Sequence, residues 1–526
     1  MTILQAHNLA CYFANGDKLF ENIHCNLTRR RTGLVGDNGV GKSILAATLA
    51  GEYTPSAGQV QRTSHIGCFW QLPSVLLSSD LTIAQYLQLD NILNALNAIE
   101  AGASESHWFD QIGDRWFIRE ELANLLSELS ITGSPEQRCA ELSGGQLGAL
   151  QLWKLFQSNA ELLILDEPSN HLDRDTRQWL IKQMRNFSGY ILLISHDRQL
   201  LNEMTEIWAL NPSGLECYGE SFEDYLIRKE QHRQATQQQL KTIHQAQTRL
   251  QQQAQRNREK AQQRRSQGNK ERNQGSQPKV LLDAKKDRAT ANTSQRLKNE
   301  DRQRRELNQK AQALQQHWQT IKPQKLYLDN ASHNGARLVS VESCILPFGF
   351  ARPISFVLST GSKLHLRGKN GSGKSTLLKV LLGDLQPAAG TAKVNGPLYY
   401  LDQHFSLLDT NSTMLDNLIH HCAGLSEVNA RTLLANIGFR RDSVFRTTQQ
   451  LSGGEKMKLA MLIVSHQPDS PLLLLDEPDN HLDISSQQML AEALRQYSGS
   501  FILISHDDAF VDDAGVTKVI ELSSHS

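Results

Sequence analysis

The sequence predicts an α/β protein in which one parallel-sheet domain occurs twice, the two copies separated by a long helical segment. Three observations lead there. A glycine-rich octapeptide at residues 36–43 returns at residues 368–375, each time between an apolar run and a helix-like one. A short, wholly apolar run ending in Asp-Glu (Asp166 and Glu167) returns ahead of Asp476 and Glu477; such runs suit strands buried on both faces of a parallel sheet. Between the copies lies a segment of different material, rich in Gln, Arg, Lys and Ala and poor in aromatic and β-branched residues, which favours helix.

The repeats run in one order. Gly36 returns as Gly368 and Gln71 as Gln403, both at an offset of 332 residues, whereas the Leu-Ser-Gly-Gly at Leu142 returns at Leu451, an offset of 309. The first copy therefore carries about 23 extra residues between Gln71 and Leu142. Residues 81–99 and 117–129 show helical apolar spacing there, and Gly102, Ala103, Ser104, Glu105 and Ser106 form a breaker between them. A short helical arm is expected near 85–115. Asp166 then returns as Asp476 and His196 as His506, both at 310. The resulting division is residues 1–227, 228–325 and 326–526.

The middle segment is expected to form two helices, over 222–265 and 293–318, with Ser266, Gln267, Gly268, Asn269 and the stretch from Gly275 to Pro278 as the loop between them. Formal net charge over the whole chain is zero, which alone argues against a nucleic-acid partner. Yet from Lys229 to Lys325 there are 23 Lys and Arg against 8 Asp and Glu, so neutrality is a cancellation between segments. Arg256, Arg258, Lys260, Arg264, Arg265, Lys270, Arg272 and Lys279 cluster near the expected tip and are candidate phosphate contacts for RNA. Only Trp318 offers a platform for stacking bases, so structured RNA read by shape is favoured over single strands.

Other classes are argued against. The 7 cysteines are scattered without a C-x-x-C pair, so neither a disulfide framework nor structural zinc is expected. The first residues read as no secretion signal, and no stretch approaches the roughly 18 apolar residues that span a bilayer. A cytoplasmic protein with no membrane partner is expected.

The repeated motifs specify phosphate chemistry. Gly36, Asp37, Asn38, Gly39, Val40, Gly41, Lys42 and Ser43, and again Gly368, Lys369, Asn370, Gly371, Ser372, Gly373, Lys374 and Ser375, follow an apolar strand and open a helix, the context a phosphate loop requires. Backbone N–H groups converge on an anion at the helix start, and the lysine adds a point charge. The serine supplies an oxygen for Mg²⁺. Asp166 and Asp476 can hold the Mg²⁺ shell, and Glu167 and Glu477, one residue on, can orient or deprotonate the attacking water. His196 and His506 end another apolar strand beside the same sheet edge, as candidate γ-phosphate sensors.

The order of phosphate loop, glutamine, Leu-Ser-Gly-Gly, acidic pair and histidine resembles an ATP-binding cassette. The tandem Asn170-His-Leu-Asp173 and Asn480-His-Leu-Asp483 with Ser-His-Asp resembles the ABC-F family, and the likeness covers nearly the whole chain. It implies two P-loop cassettes, each a RecA-like α/β core with a helical subdomain, paired head to tail within one monomer over ATP and Mg²⁺. Ser143, Gly144 and Gly145 would then face Lys374 and Glu477, while Ser452, Gly453 and Gly454 face Lys42 and Glu167. Gln71 and Gln403 join Ser43, Ser375, Asp166 and Asp476 as Mg²⁺ candidates, and adenine stacking falls to Phe13, or its neighbour Tyr12, and to Phe348. One departure is that Leu147, Gly148 and Ala149 follow the first Leu-Ser-Gly-Gly-Gln, where the second cassette keeps Lys456 and Lys458, so unequal turnover is expected.

The resemblance implies a ribosome-associated translation factor that enters the tRNA exit site and extends its linker toward P-site tRNA, rRNA and the peptidyl-transferase region. A transport ATPase would need a membrane domain. The alternative is a cassette ATPase of DNA repair or recombination, weakened because neither zinc hooks nor a basic coiled-coil tail is evident.

Overall fold

The computed structural model describes residues 3–273, 299–311 and 337–522, apart from 14, 15, 17, 71–79, 130, 132, 171, 300, 404, 423, 440, 468–470 and 481. Gln71, His171, His481, Lys279, the loop from Gly275 to Pro278 and most of the second expected linker helix, Trp318 included, lie outside the described residues. The chain divides into two units: residues 1–222 with 324–526, and residues 223–323.

Both cassettes belong to the first unit. In the first cassette β1 (Leu4–Tyr12), β2 (Lys18–Asn26), β3 (Arg31–Val35), β4 (Ala57–Arg62), β5 (Ile66–Phe69), β6 (Leu162–Asp166), β7 (Tyr190–Ile194), β8 (Glu206–Asn211) and β9 (Gly214–Tyr218) form two sheets. One is antiparallel, ordered β2-β1-β4; the other is ordered β5-β6-β7-β3-β8-β9 and parallel up to β8, with β9 antiparallel at its edge. Every residue of β6 is buried, as its unbroken apolar run demands of a strand covered on both faces. Leu34, Leu45, Ile164, Leu192 and Trp208 pack in one core that joins sheet and phosphate-loop helix.

The second cassette repeats the plan with β10 (Arg337–Ile345), β11 (Ile354–Ser359), β12 (Lys363–Gly368), β13 (Ala389–Val394), β14 (Leu398–Leu401), β15 (Leu472–Asp476), β16 (Phe501–Ile504) and β17 (Lys518–Leu522). Its sheets are ordered β11-β10-β13 and β14-β15-β16-β12-β17, the second wholly parallel. In each parallel sheet the strand before the phosphate loop lies beside the one that ends in His196 or His506, which in turn lies beside the one that ends in the acidic pair. All three chemistries therefore emerge at the same carboxyl edge, as open parallel sheets place them.

The extra residues of the first cassette are helical. Ile83–Tyr86, Asp90–Glu100, Ser106–Ile112 and Ile118–Glu128 stand where the second cassette has Met414–His421 and Glu427–Asn436 with a short 3-10 turn. Leu93, Leu96, Ile112, Leu122, Leu125 and Leu126 supply their buried face. Gly102 leaves the second of these helices at φ 97°, where the breaker was expected.

In the second unit one helix, Phe222–Asn273, runs 52 residues, about 78 Å at 1.5 Å per residue. It continues eight residues past the expected end at Arg265, straight through Gly268. A single glycine costs a helix only about 1 kcal/mol relative to alanine, which the helix formers around it outweigh. Residues 301–311 are helical too, and Gln247 Nε2 donates to Asn308 Oδ1 at 3.0 Å across the pair. Arg256, Arg258 and Lys260 are exposed on the long helix; Arg264, Arg265, Lys270 and Arg272 belong to its backbone, their side chains outside the described residues. Among the described residues no helix is long and apolar enough to cross a membrane.

Leu34 on β3 is fully buried at the centre of the first parallel sheet. Leu34→Ala should lower unfolding free energy by about 3 kcal/mol, read from the first transition in urea; a loss within about 0.5 kcal/mol, the range of ordinary surface substitutions, would contradict this packing.

Candidate active sites

Each phosphate loop is shaped by glycines that nothing else can replace. A Cβ at Gly36 would lie 2.5 Å from the carbonyl oxygen of Leu210 on β8, so the strand can turn into the loop only without one. Gly41 and Gly373 cap the helices Lys42–Ala50 and Lys374–Leu382 at φ 97° and 93°, in the left-handed region. Lys42 arches back so that Nζ donates to the carbonyl oxygens of Gly36 at 2.9 Å and Asp37 at 3.1 Å. Lys374 does the same to Gly368 at 2.8 Å and Lys369 at 3.0 Å. Both ammonium groups are buried, which lowers their pKa, while Glu167 and Asp483 oppose this at Lys42 and Glu477 and Asp173 at Lys374. Asp483 and Asp173 each come from the opposite cassette.

The second acid of each pair is held in an unusual backbone. Glu167 has φ 49° and Glu477 φ 50°, left-handed values rarely adopted by a residue with a side chain. The neighbouring strand fixes the turn, for Glu167 N–H donates to Ile194 O at 2.8 Å and Glu477 N–H to Ile504 O at 2.9 Å. Each carboxylate is thereby set beside a strand-end histidine: His196 Nε2 lies 3.6 Å from Glu167 Oε1, and His506 Nε2 3.5 Å from Glu477 Oε1. Burial pushes both glutamates above the ordinary carboxylate range, opposed by Lys42 and Lys374. Burial, then Lys374 and Arg177, pull His506 down to about 3, so its imidazole is neutral at neutral pH.

The first acids differ in partner. Asp166 accepts a hydrogen bond from Ser43, whereas Asp476 accepts one from the Tyr400 hydroxyl at 3.1 Å. Tyr400 stands at the offset of Cys68, which has no phenol to offer. Gln403 lies two residues beyond β14, and Ser375 follows Lys374 at the helix start. Phe13 and Phe348 are half or more exposed.

Ser143 and Ser452 open the helices Gly144–Phe156 and Gly453–Ser465 through reciprocal capping boxes. Gln146 N–H donates to Ser143 Oγ at 3.3 Å and Ser143 N–H to Gln146 Oε1 at 3.1 Å. In the second cassette Glu455 takes the place of Gln146, and Arg446 grips its carboxylate at 3.0 Å. The fifth residue of each Leu-Ser-Gly-Gly motif thus locks its serine turn, a pattern the S-x-x-Q/E spacing already carried.

The two cassettes meet across these elements. A cavity of about 650 Å³ is lined by Ser143, Gly144 and Gly145 from the first and by Phe348, Gly349, Asn370, Gly371, Gly373, Lys374, Ser375, Thr376 and Glu477 from the second. At the other phosphate loop Asn38 N–H donates to Asp483 Oδ2 at 2.9 Å, and Ser485 Oγ to Asp37 Oδ1 at 3.4 Å. Lys458, on the helix that Ser452 caps, is near enough to Asp37 and Asp483 for both to raise its pKa, though burial lowers it overall. Between the sites Arg177, 7% exposed, donates through Nη1 to the carbonyl oxygen of His506 at 2.8 Å while Nε lies 3.0 Å from Asp197 Oδ2. Asp173 and Asp483 stood in the sequence only as the ends of the Asn-His-Leu-Asp motif, with no site role, and Arg177 and Tyr400 did not stand out at all. The two aspartates recur in register and were findable; Arg177, opposite Gln487 in the repeat, left no signal.

Residues 20–170 and 351–480 match the family model described as ABC transporter. The chain belongs to the ABC-F branch of the ATP-binding cassette family. This cassette protein is 31% identical to YheS of Haemophilus influenzae, named as an ATP-binding protein, over 93% of this chain and 75% of that one. It is 28% identical to the ATP-binding protein Uup of the same organism, over 91% and 72%, and 26% identical to the ribosome protection protein VmlR of Bacillus subtilis, over 93% and 81%. Among solved structures it is similar in fold to the archaeal ribosome recycling factor aABCE1, in its complex with the ribosomal stalk protein aP1, with a TM-score of 0.53 at 15% identity over 98% of this chain and 87% of that one. The chain is an ATPase of tandem-cassette type.

Because Glu167 and Glu477 are both raised above the ordinary 4.5, and a base acts only when deprotonated, the hydrolysis rate should climb with pH through an apparent pKa well above that value. A kcat profile flat down to pH 5 would contradict a general-base role for them.

Proposed function

We propose that ATP is held between the two cassettes at two composite sites, and that closing over it sets the basic linker against structured RNA of the ribosome. The reading is carried by the cavity that Ser143, Gly144 and Gly145 share with Lys374 and Glu477. A triphosphate there meets loop N–H groups and a lysine on one side and the start of a second helix on the other, so both halves contribute anion-binding dipoles. Neither half alone offers the full set. By the repeat, Lys42 and Glu167 work with Ser452 in the same way.

The hydrolytic step follows from what these side chains can do. Glu167 or Glu477, turned out of its strand and raised in pKa, takes a proton from the attacking water. His196 or His506 lies within 3.6 Å of that carboxylate and can donate to the γ-phosphate. Ser43 with Asp166, and Ser375 with Asp476, present oxygen donors, the kind that suits Mg²⁺, and the side-chain carbonyls of Gln403 and its repeat counterpart Gln71 are the further candidates. Bound Mg²⁺ would neutralise charge on the β and γ oxygens. Phe348, on the cavity wall, and Phe13 are the aromatic candidates for adenine. Release of phosphate removes the anion that both halves were holding, so the pair opens.

The ribosome enters through two supports. The linker carries the strong positive bias, with Arg256, Arg258 and Lys260 exposed on the long helix, and charge of that kind meets phosphate. A relative that matches 93% of this chain bears the name ribosome protection protein. We place the binding in the tRNA exit site, with Arg264, Arg265, Lys270, Arg272 and Lys279 toward P-site tRNA, in a cytoplasmic protein.

The variant Glu167→Gln, Glu477→Gln should bind ATP, stay closed and cosediment with 70S-type ribosomes. ATP-loaded variant that sediments free would defeat the ribosome reading. Its affinity should also fall by about tenfold or more between 50 and 200 mM salt, measured by the same pelleting; an unchanged affinity would contradict the linker's part.

A further inference from the structure

The contacts between the cassettes show a charge pattern that hydrolysis does not need. Lys369, in the second phosphate loop, lies 2.6 Å from Asp175 at the start of the helix Arg174–Asn186. By the repeat, Lys369 corresponds to Asp37 and Asp175 to Ser485, and these two also touch, at 3.4 Å, with Lys458 close by. Away from the nucleotide, Arg174 lies 3.3 Å from Asp508 and Arg198 2.8 Å from Asp513. Arg198 and Asp508 occupy equivalent positions in the two cassettes yet carry opposite charge.

We propose that this pattern is a pairing code: it makes the first cassette fit the second and no second copy of itself. Two first cassettes brought together in the same geometry would set Asp37 against Asp175 and Arg174 against Arg198. Two second cassettes would set Lys369 near Lys458 and Asp508 against Asp513. Two second cassettes thus meet two repulsions, and two first cassettes meet two against the one attraction they keep, Arg198 with Glu203 at the place of Asp513; like charges so placed are a strong means of rejecting a partner. Arg177 acts in the same sense at the centre, since it is one buried cation shared by the loops of Asp197 and His506, and two first cassettes would bury two of them. The partner that the surface selects is the other half of the same chain.

The test reverses one pair that lies outside the nucleotide sites. Arg198 begins its helix and Asp513 ends its own, so an acid at the first position and a base at the second suit their helix dipoles, and neither reversal should harm its own element. In the Glu167→Gln, Glu477→Gln background, half-saturation by radiolabelled ATP reports closure and light scattering reports mass. The unreversed chain should stay at its monomer mass of 59.0 kDa with ATP at every concentration tried. Arg198→Asp and Asp513→Arg should each raise the ATP half-saturation about fivefold, the effect of turning one partly exposed attraction into a repulsion. The chain with both changes should return to within about twofold of the starting value. ATP-driven dimers of the unreversed chain, single variants that bind ATP as it does, or a double variant no better than the singles would each overturn the code. Recovery in the double variant also shows that the single changes had not unfolded the protein.

Discussion

The structure depends on one constraint: each phosphate loop is met by residues of the other cassette. Asp483 of the second cassette accepts the Asn38 N–H of the first phosphate loop, and the Ser143 turn of the first cassette lines the cavity of the second. A phosphate loop alone is an anion cradle. Placed opposite another helix start it becomes a clamp, because the ligand's charge then draws two helix N-termini together. The strand order, the left-handed turns at Glu167 and Glu477 and the reciprocal caps at Ser143 and Ser452 all serve to deliver groups to that one seam.

The halves are alike in plan and unlike in detail. The first Mg²⁺ candidate, Asp166, is held by Ser43, its counterpart Asp476 by Tyr400. Lys458 faces the first phosphate loop, while Ala149 occupies the equivalent place at the second. Asp479, where the first cassette has Ser169, is fully enclosed beside Asp507 and bonded to Ser505 at 2.9 Å, and burial pushes its carboxyl up to about 7. Two sites with different charges around them have no reason to turn over at one rate.

Much of this was legible in the sequence because duplication marks it twice. The phosphate loops, the acidic pairs and the strand-end histidines each had a copy in register, and the shift in offset between Gln71 and Leu142 located the extra helices of the first cassette. Features without a copy were silent: Arg177 and Tyr400 have Gln487 and Cys68 as counterparts, and only packing reveals what they touch. Helix ends were legible only where several signals agreed. Ser266, Gln267, Gly268 and Asn269 suggested a loop, and the neighbouring helix formers carried the helix on to Asn273. Opposed charges across the seam could not be read at all before the partner of each residue was known.

The central claim is that the serine turn of one half works for the glutamate of the other. With Glu167→Gln, turnover rests on Glu477; adding Ser143→Ala should then cut kcat by about tenfold or more, as loss of a single anion-site donor does, while adding Ser452→Ala should leave most of it. With Glu477→Gln the two serines should exchange effects. The opposite pattern, in which Ser452 matters when Glu477 is the remaining base, would mean that each cassette completes its own site and would contradict the account.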